Sequence, residues 1–575
     1  MILKLAKYLK EFKKYAIITP LLVVLEVMMD VLIPTIMADL IDKGVDQGNL
    51  NVILKIGSTL IVIALVSMIT GILAGRFAAV ASSGLIRNLR QAMFKNVQTF
   101  SFSNIDKFSA SSIITRLTTD LTYVVMSYQM LLRIAIRAPL MVVFAFLMSY
   151  RLNPKISMIY AFLVPFMGIV FYLIIKYVHP IFQRVFKIYD KLNRIVQENL
   201  AGIRVVKTFV REEHEKSKFG DVSDEIYNQF IKAEKIVAFN QPFMMLAMNT
   251  CIILLAWMGG KMIVVGDMTT GNLVSMFTYT AYMLINMMIL SQIFVMLIIS
   301  AAPVQRILEV LNEKSDLTNP LHPVLSLEDG SVVYKDVDFS YVGGAEKCVI
   351  KNINFQIESG DVVGVLGGTG SGKSTLVSLI PRLYDATGGS VFVGGHDVRD
   401  YDLDALRNEV AMILQKNVLF SGTIKENLYW GNPDASDEEL IRVCRLAQVH
   451  DFINDLPDGY DTHVEQGGEN FSGGQRQRLC IARALLRKPK IIVFDDSTSA
   501  VDTHTDALLR KALREEIPGT TKFFIVQRIS SIEDADKIIV MNDGNIENMG
   551  THEELLKTSE IYREVFHSQN QAVLS

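Results

Sequence analysis

The chain has no cysteine framework. Its four cysteines, Cys251, Cys348, Cys444 and Cys480, are scattered. They show neither metal-ligand spacing nor the pattern of a disulfide scaffold. That excludes a stapled secreted domain and fits a reduced, intracellular setting for the soluble part. Neither sign of charge dominates. There are 57 Lys and Arg against 60 Asp and Glu, a formal net charge of −3. Net charge therefore argues neither way about nucleic acid, and none is expected as a partner. A cleavable leader is not expected. Lys4, Lys7, Lys10, Lys13 and Lys14 precede the first apolar run, but that run is too long for a signal peptide and no small-residue site closes it. It reads as a retained span preceded by an amphipathic helix on the membrane surface.

What the chain has in quantity is apolar sequence. Half of its 575 residues are hydrophobic, and its mean hydropathy is +0.30. Six apolar stretches occur before residue 313: Tyr15–Met37, Val52–Ala74, Ile134–Met148, Ile156–Ile175, Phe243–Val265 and Leu273–Ile299. Most approach the ~20 residues that a helix needs to cross the hydrocarbon core. The third is short as counted, so its helix is expected to begin near Tyr123. Basic residues concentrate in two long loops, one carrying Arg76 to Arg133 and the other Lys176 to Lys235. Those loops and both termini are therefore expected in the cytoplasm. Val80–Phe100 and Phe182–Val210 keep helical apolar spacing beyond the membrane. They predict helices projecting into the cytoplasm, with hairpin tips near Ser103–Phe108 and Val210–Phe219. Most of the loop charges read as solvated helix faces.

Residues 314–330 are polar and contain Pro320 and Pro323, which marks a linker. The expected domains are 1–313, a six-helix all-α transmembrane domain with long cytoplasmic extensions, and 331–575. In the second, short β-rich runs alternate with helical segments, which predicts an α/β fold with a largely parallel core sheet.

Within that domain Gly367, Gly368, Thr369, Gly370, Ser371, Gly372, Lys373 and Ser374 match GxxxxGK[ST]. They follow the strand Val362–Leu366 and precede a helical pattern from Thr375, which is the context the motif requires. The glycines let backbone N–H groups approach phosphates. Lys373 neutralises the β- and γ-phosphates of ATP, and the Ser374 hydroxyl holds Mg²⁺. Asp495 ends the apolar run Ile491–Phe494 and fits the carboxylate that holds Mg²⁺, directly or through water.

Phe471-Ser472-Gly473-Gly474-Gln475, followed by Arg476-Gln477-Arg478, resembles the signature motif of the ATP-binding cassette family. The resemblance covers nearly the whole chain. Physically, Ser472 and the glycine amides would start a helix whose N-terminus attracts phosphate. The resemblance implies that this helix faces ATP held by a second nucleotide-binding domain, so the chain must dimerise. It further implies that Tyr341 stacks on adenine and that Gln415 senses Mg²⁺. Ser499-Ala500-Val501-Asp502 is similar to the loop that crosses to the opposite site. Glu198–Lys207 and Ser112–Asp120 resemble cytoplasmic segments of multidrug-type exporters, so the hairpin tips would be coupling helices.

Two positions depart from the family pattern. Asp496 stands where the family has the glutamate that polarises the attacking water. Asp is one methylene shorter, so its carboxylate falls about 1.5 Å back, whereas a general base needs roughly 2.6–3.2 Å contact. Gln527 stands where the family has a switch histidine. Its amide can donate a hydrogen bond but cannot become cationic. Together these imply a hydrolysis-impaired site in one subunit of a bacterial heterodimeric exporter. Its partner half-transporter would carry Glu and His at the matching positions, and this chain's Ser472–Gln475 would complete the partner's site. Glu465-Gln466-Gly467-Gly468 is a third departure, from Gly-Glu-Arg-Gly.

The expected function is export of hydrophobic or amphipathic compounds, multidrug or lipid-like, from the cytoplasm or inner leaflet across the bacterial inner membrane. Two other readings stay open: a slow homodimeric exporter, and an ATP-gated regulatory or channel subunit. Glu26 and Asp30 lie within the first span. They either attract cationic drugs or pair with Arg or Asn on another helix. The last span is rich in Met and aromatics, including Met276, Tyr279, Met283 and Met287. That suits either helix packing or a broad apolar binding surface. Asn240, Gln241 and Asn286 read as interhelical hydrogen-bond groups.

Overall fold

Apolar runs longer than a bilayer is thick dictate the first half of the molecule. A computed structural model describes residues 2–341, 348–496 and 502–574. Among them, six helices are long and apolar enough to cross a membrane. The first two, α1 (Leu5–Val45) and α2 (Leu50–Val97), are followed by a short helix, α3 (Phe102–Phe108). Then come α4 (Ala110–Leu152), α5 (Pro154–Ala201), a second short helix α6 (Ile203–Thr208), α7 (Glu212–Val265) and α8 (Thr270–Asn312). With 48 residues, α2 and α5 each run ~72 Å at ~1.5 Å per residue. The hydrocarbon core takes only ~30 Å of that, so both extend well beyond it. Their starts are set locally. The Asn49 side chain accepts from Val52 N–H at 3.3 Å to open α2, and Asn153 caps α5 just ahead of Pro154. Gly266, at φ +86°, closes α7.

Three expectations shift. The third span begins before Tyr123, because α4 is helical from Ala110 through a π-helical turn at Arg116–Asp120. Arg116 and Asp120 of that turn are polar yet buried, and Arg306 of α8 forks onto Asp120 at 2.7 and 2.5 Å. The second hairpin tip comes earlier than Val210–Phe219. It is α6, and α7 starts at Glu212 with Glu212, Glu213 and Glu215 in its first turn, where the helix dipole favours acids. The N-terminal segment covers its apolar face on α2. Leu5 and Leu9 are buried, Tyr8 O accepts from Asn88 Nδ2 at 2.9 Å, and Phe12 fills the space that Gly84 leaves.

The chain divides into two compact units, Met1–Gln98 with Ala110–Glu313, and Thr99–Ser109 with Lys314–Ser575. In the second, a six-stranded sheet has the spatial order Asn545–Gly550, Lys537–Asn542, Val362–Gly367, Thr521–Ile525, Ile491–Asp495, Val410–Ile413. All neighbours are parallel except the antiparallel edge strand Asn545–Gly550. Such a sheet is covered on both faces, so its strands read as continuous apolar runs. A four-stranded antiparallel sheet orders Ile350–Ile357, Val332–Phe339, Gly388–Val393 and His396–Asp397. The short strands at 388–397 and 422–423, and the edge strand after Asn542, carried too little pattern to read from sequence. The fold is thus a six-helix transmembrane region followed by an α/β domain.

The second unit includes α3. A capping box between Ser101 and Asn104 starts this helix. Ser103 Oγ donates to Asp316 at 2.6 Å, and Tyr384 Oη donates to Asp106 at 2.8 Å.

Candidate functional site

Three parallel strands end side by side, and each delivers one part of the site. Ile525 pairs with Val365 on one side and Asp495 on the other. The residues just past these ends, Gly367–Ser374, Gln527 and Asp496, therefore share the carboxyl edge of the sheet, where open α/β sheets bind ligands. Gly372 caps helix α9 (Lys373–Ser378) at φ +95°. A Cβ there would lie 2.7 Å from Ile350 Cγ2, and one at Gly367 would lie 2.4 Å from Met541 O. The two glycines are what the turn and the packing require. Gly368, Thr369 and Gly370 form the exposed turn between them.

Lys373 Nζ reaches back to Gly367 O and Gly368 O at 2.8 and 2.7 Å. Burial pulls its ammonium below the usual lysine range, while Asp496 and Asp495 oppose that shift. Ser374 Oγ donates to Asp495 Oδ1 at 2.7 Å. Burial raises the Asp495 carboxyl above the usual range, Asp496 adds to the rise, and the Ser374 bond opposes it. A hydroxyl beside a carboxylate is an all-oxygen donor pair of the kind Mg²⁺ takes. Ser371 Oγ is buried in the loop without a hydrogen-bond partner among the described residues, which fits a loop shaped to meet phosphate oxygens. Gln415 is exposed in the bend after Val410–Ile413, the strand paired with Ile491–Asp495.

The two departures from the family pattern touch each other. Gln527 Nε2 donates to Asp496 Oδ2 at 3.1 Å. Asp496 sits at φ +47°, a left-handed conformation that Asp tolerates better than most residues. Sequence reasoning missed the brace behind this pair. Gln569, from the C-terminal helix Glu560–Leu574, donates to Gln527 O at 2.8 Å and accepts from Ile529 N–H at 2.9 Å. A glutamine in an amphipathic helix gives no sequence signal of that kind.

Tyr341 is half-exposed. Its hydroxyl lies 3.0 Å from Thr375 Oγ1, and its ring packs edge-on against Tyr384 at 5.2 Å. Ser472 caps helix α10 (Gly473–Leu485), accepting from Gln475 N–H at 3.3 Å, while Gln475 Oε1 accepts from Ser472 N–H at 2.8 Å. Gly473 and Gly474 form the first turn. No hydrogen bond joins Ser472–Gln475 to Gly367–Ser374 among the described residues. The altered loop is wired to α10: Arg476 donates to Gly467 O and Gly468 O at 3.4 Å. Ser499, Ala500 and Val501 lie outside the described residues. Asp502 caps the helix Thr503–Glu516.

Comparison with known proteins decides the family. The model described as ABC transporter transmembrane region matches residues 16–288, and the model described as ABC transporter matches 350–499. An uncharacterised ABC transporter ATP-binding protein of Mycobacterium tuberculosis is 34% identical over 571 residues, 98% of each chain. This chain belongs to the ABC transporter family. An ATP-dependent lipid A-core flippase of Desulfotalea psychrophila is 30% identical over 488 residues, 84% of each chain. A bacterial Atm1-family ABC exporter with ATP bound superposes with a TM-score of 0.81 at 22% identity, covering 98% of both chains. That likeness shows the fold of this ABC transporter: a membrane region followed by an ATP-binding domain.

The ABC transporter carries a second polar cluster in its membrane unit. Arg137 of α4 donates to Glu26 Oε1 at 3.2 Å and to Asp30 Oδ2 at 2.8 Å, and Ser67 Oγ donates to Asp30 Oδ1 at 2.5 Å. The two carboxylates therefore pair with an arginine on another helix. Much of the last span is packing: Met276, Tyr279 and Met283 are buried, and Tyr279 Oη donates to Val31 O at 2.6 Å. Among the described residues, Asn286 does not bridge helices. Its Nδ2 donates to Tyr282 O one turn back, at 2.8 Å, and Gln241 is exposed.

Proposed function

We propose that this ABC transporter is the ATP-retaining, hydrolysis-impaired subunit of a heterodimeric exporter in the bacterial inner membrane. It would have both termini in the cytoplasm and move hydrophobic or amphipathic compounds, multidrug or lipid-like, by alternating access. The observation that carries this is the Gln527–Asp496 hydrogen bond at 3.1 Å. The short carboxylate at the position of the general base is tied to a neutral amide, not to an imidazole that could become cationic. Gly367–Gly372 cradle phosphates with backbone N–H groups, Lys373 contributes charge to the β- and γ-phosphates, and Thr375 and Tyr341 flank the nucleotide end. Ser374 and Asp495 would hold Mg²⁺, with Gln415 completing the set. Bound there, Mg²⁺ supplies a hard Lewis acid that withdraws charge from the phosphates. Asp496 sits too far back to activate water efficiently, so this site binds well and turns over poorly.

Ser472, Gly473, Gly474 and Gln475 form an intact helix start that attracts phosphate. We assign it to the partner's site, with Glu and His expected in the partner. The lipid A-core flippase among its relatives supports an amphipathic cargo. The test is the ATPase rate of the co-purified complex. A Glu→Gln change at the partner's general base should abolish turnover, whereas Asp496→Asn here should change it less than about twofold. Brisk, cooperative hydrolysis by this chain alone would instead establish a homodimer.

A further inference from the structure

A cavity of about 410 Å³ inside the membrane unit is lined by Glu26 of α1, Arg133 and Arg137 of α4, and Asn286 and Ile293 of α8. Its charges do not balance locally. Arg137 serves both Glu26 and Asp30, so that triad carries one net negative charge. Arg133 supplies the compensating positive charge, and it has no ion-pair or hydrogen-bond partner among the described residues. Two acceptors are also left over. The Glu26 side chain is 9% exposed and Asn286 is 4% exposed, yet among the described residues Glu26 Oε2 and Asn286 Oδ1 have no hydrogen-bond partner. Buried polar atoms are rarely orphaned in a native protein.

The surroundings are shaped for these charges. On α2, Gly71 and Gly75 stand one turn apart. A Cβ at Gly75 would lie 3.3 Å from Arg133 Nη1, and one at Gly71 would lie 3.4 Å from the Glu26 carboxyl. Small residues at this spacing usually bring helix backbones together. Here they make room for a guanidinium and a carboxylate.

We propose that this cavity binds an amphipath whose headgroup joins an anionic group, phosphate or carboxylate, to hydroxyl or N–H donors. The anion pairs with Arg133, where a guanidinium gives directional, charge-assisted bonds. The donors satisfy Glu26 Oε2 and Asn286 Oδ1, and the apolar portion lies along the Ile293 side. A simple cation is disfavoured, because the carboxylates are already engaged by Arg137 and Arg133 would repel it. The inference rests on the exporter reading and narrows its cargo.

Phosphatidylglycerol, a phosphate with free hydroxyls, is the probe, and phosphatidylcholine is the control. The complex with its co-purifying subunit is placed in nanodiscs of either lipid, and retained lipid is counted by native mass spectrometry. Phosphatidylglycerol should be retained preferentially. Arg133→Gln should cut that retention about tenfold, and Arg133→Lys, which keeps the charge but not the directional fork, should fall between wild type and Arg133→Gln. Glycerol phosphate that displaces the lipid would show that the headgroup alone suffices, and no displacement would show that the acyl chains are needed; both support the site. Equal retention of the two lipids, or retention unchanged in Arg133→Gln, overturns it. Trapped ATP at the phosphate loop checks folding. If Arg133→Gln loses it, Asn286→Leu decides: retention equal to wild type overturns the site, and a severalfold loss upholds it. Lipid retained without ATP-driven movement would overturn the exporter reading and leave this site standing.

Discussion

Two polar ensembles of the ATP-binding domain are built on opposite terms. Around α10, Ser472 and Gln475 complete a reciprocal capping box, and Arg476 locks the preceding glycine loop. The motif residues Ser472–Gln475 are all in place there, and the altered loop Glu465–Gly468 is tied to their helix. At the sheet edge the phosphate loop is equally complete, while Asp496, held at φ +47°, is bonded to Gln527, the pair on which the proposed impairment rests. Holding a nucleotide and splitting it are separable tasks. Holding needs backbone N–H groups and a fixed charge. Splitting needs a base at a set distance, which on the proposed reading the shorter Asp496 does not reach.

The largest expected effect breaks the intact side. Gly474→Asp puts a carboxylate at the helix start, where it repels phosphate. The ATPase rate of the complex should fall at least about 100-fold, a loss typical of removing transition-state charge stabilisation. ATP trapped in this chain's own loop should remain. Loss of trapped ATP with the ATPase rate intact would reverse the assignment of sites.

The second change repairs the altered side. With the partner's base silenced by Glu→Gln, the double change Asp496→Glu and Gln527→His should raise residual hydrolysis roughly 10–100-fold. Single-turnover release of phosphate measures it. No gain would mean that the impairment lies elsewhere, and the Gln569 brace on Gln527 O becomes the next suspect.

The sequence showed one side of this comparison better than the other. The phosphate loop, Asp495 and Ser472–Gln475 are contiguous motifs whose chemistry follows from adjacent residues, so they were legible, as were six spans from hydropathy. Contacts between distant positions were not. Gln527 and Asp496 are 31 residues apart and meet only because two parallel strands end in register. Arg137 lies 111 residues from Glu26, and Gly71 and Gly75 gain their role only once α1 and α4 pack on α2. The helical start at Ala110 was hidden because Arg116 and Asp120 look solvent-facing until Arg306 is placed beside them.

A smaller effect is expected at α3. Tyr341 packs on Tyr384, and Tyr384 holds Asp106. Burial and the Asp106 carboxylate both push the Tyr384 phenol above its usual range, so it stays a donor. Tyr384→Phe keeps the ring and deletes this one bond. At about 1 kcal/mol, coupling between ATP binding and transport should weaken roughly fivefold, read as the ratio of transport to ATPase rates. Nucleotide affinity should hold, since the ring against Tyr341 is unchanged. An unchanged ratio would show that α3 is merely anchored there.

The smallest effect is on stability and concerns the strand between the two loops. Lys522 is buried, and its Nζ donates to Ile517 O at 2.9 Å and Thr520 O at 2.7 Å. Burial, with Arg514 adding, lowers its pKa from 10.5 to about 8. A depressed lysine pKa penalises the charged folded form. Below about pH 8 both folded and unfolded chains carry the proton, and the penalty is complete. Between the two values the unfolded chain binds more protons, so stability rises with pH and levels off above the unfolded value. Lys522→Met removes this titration while leaving the others in place. Between about pH 7.5 and 9.5 the unfolding temperature of the wild-type chain should therefore climb relative to the variant's. Parallel curves would show that the two carbonyls compensate the charge in full, and the amino end of this strand would then owe nothing to the protonation state of its lysine.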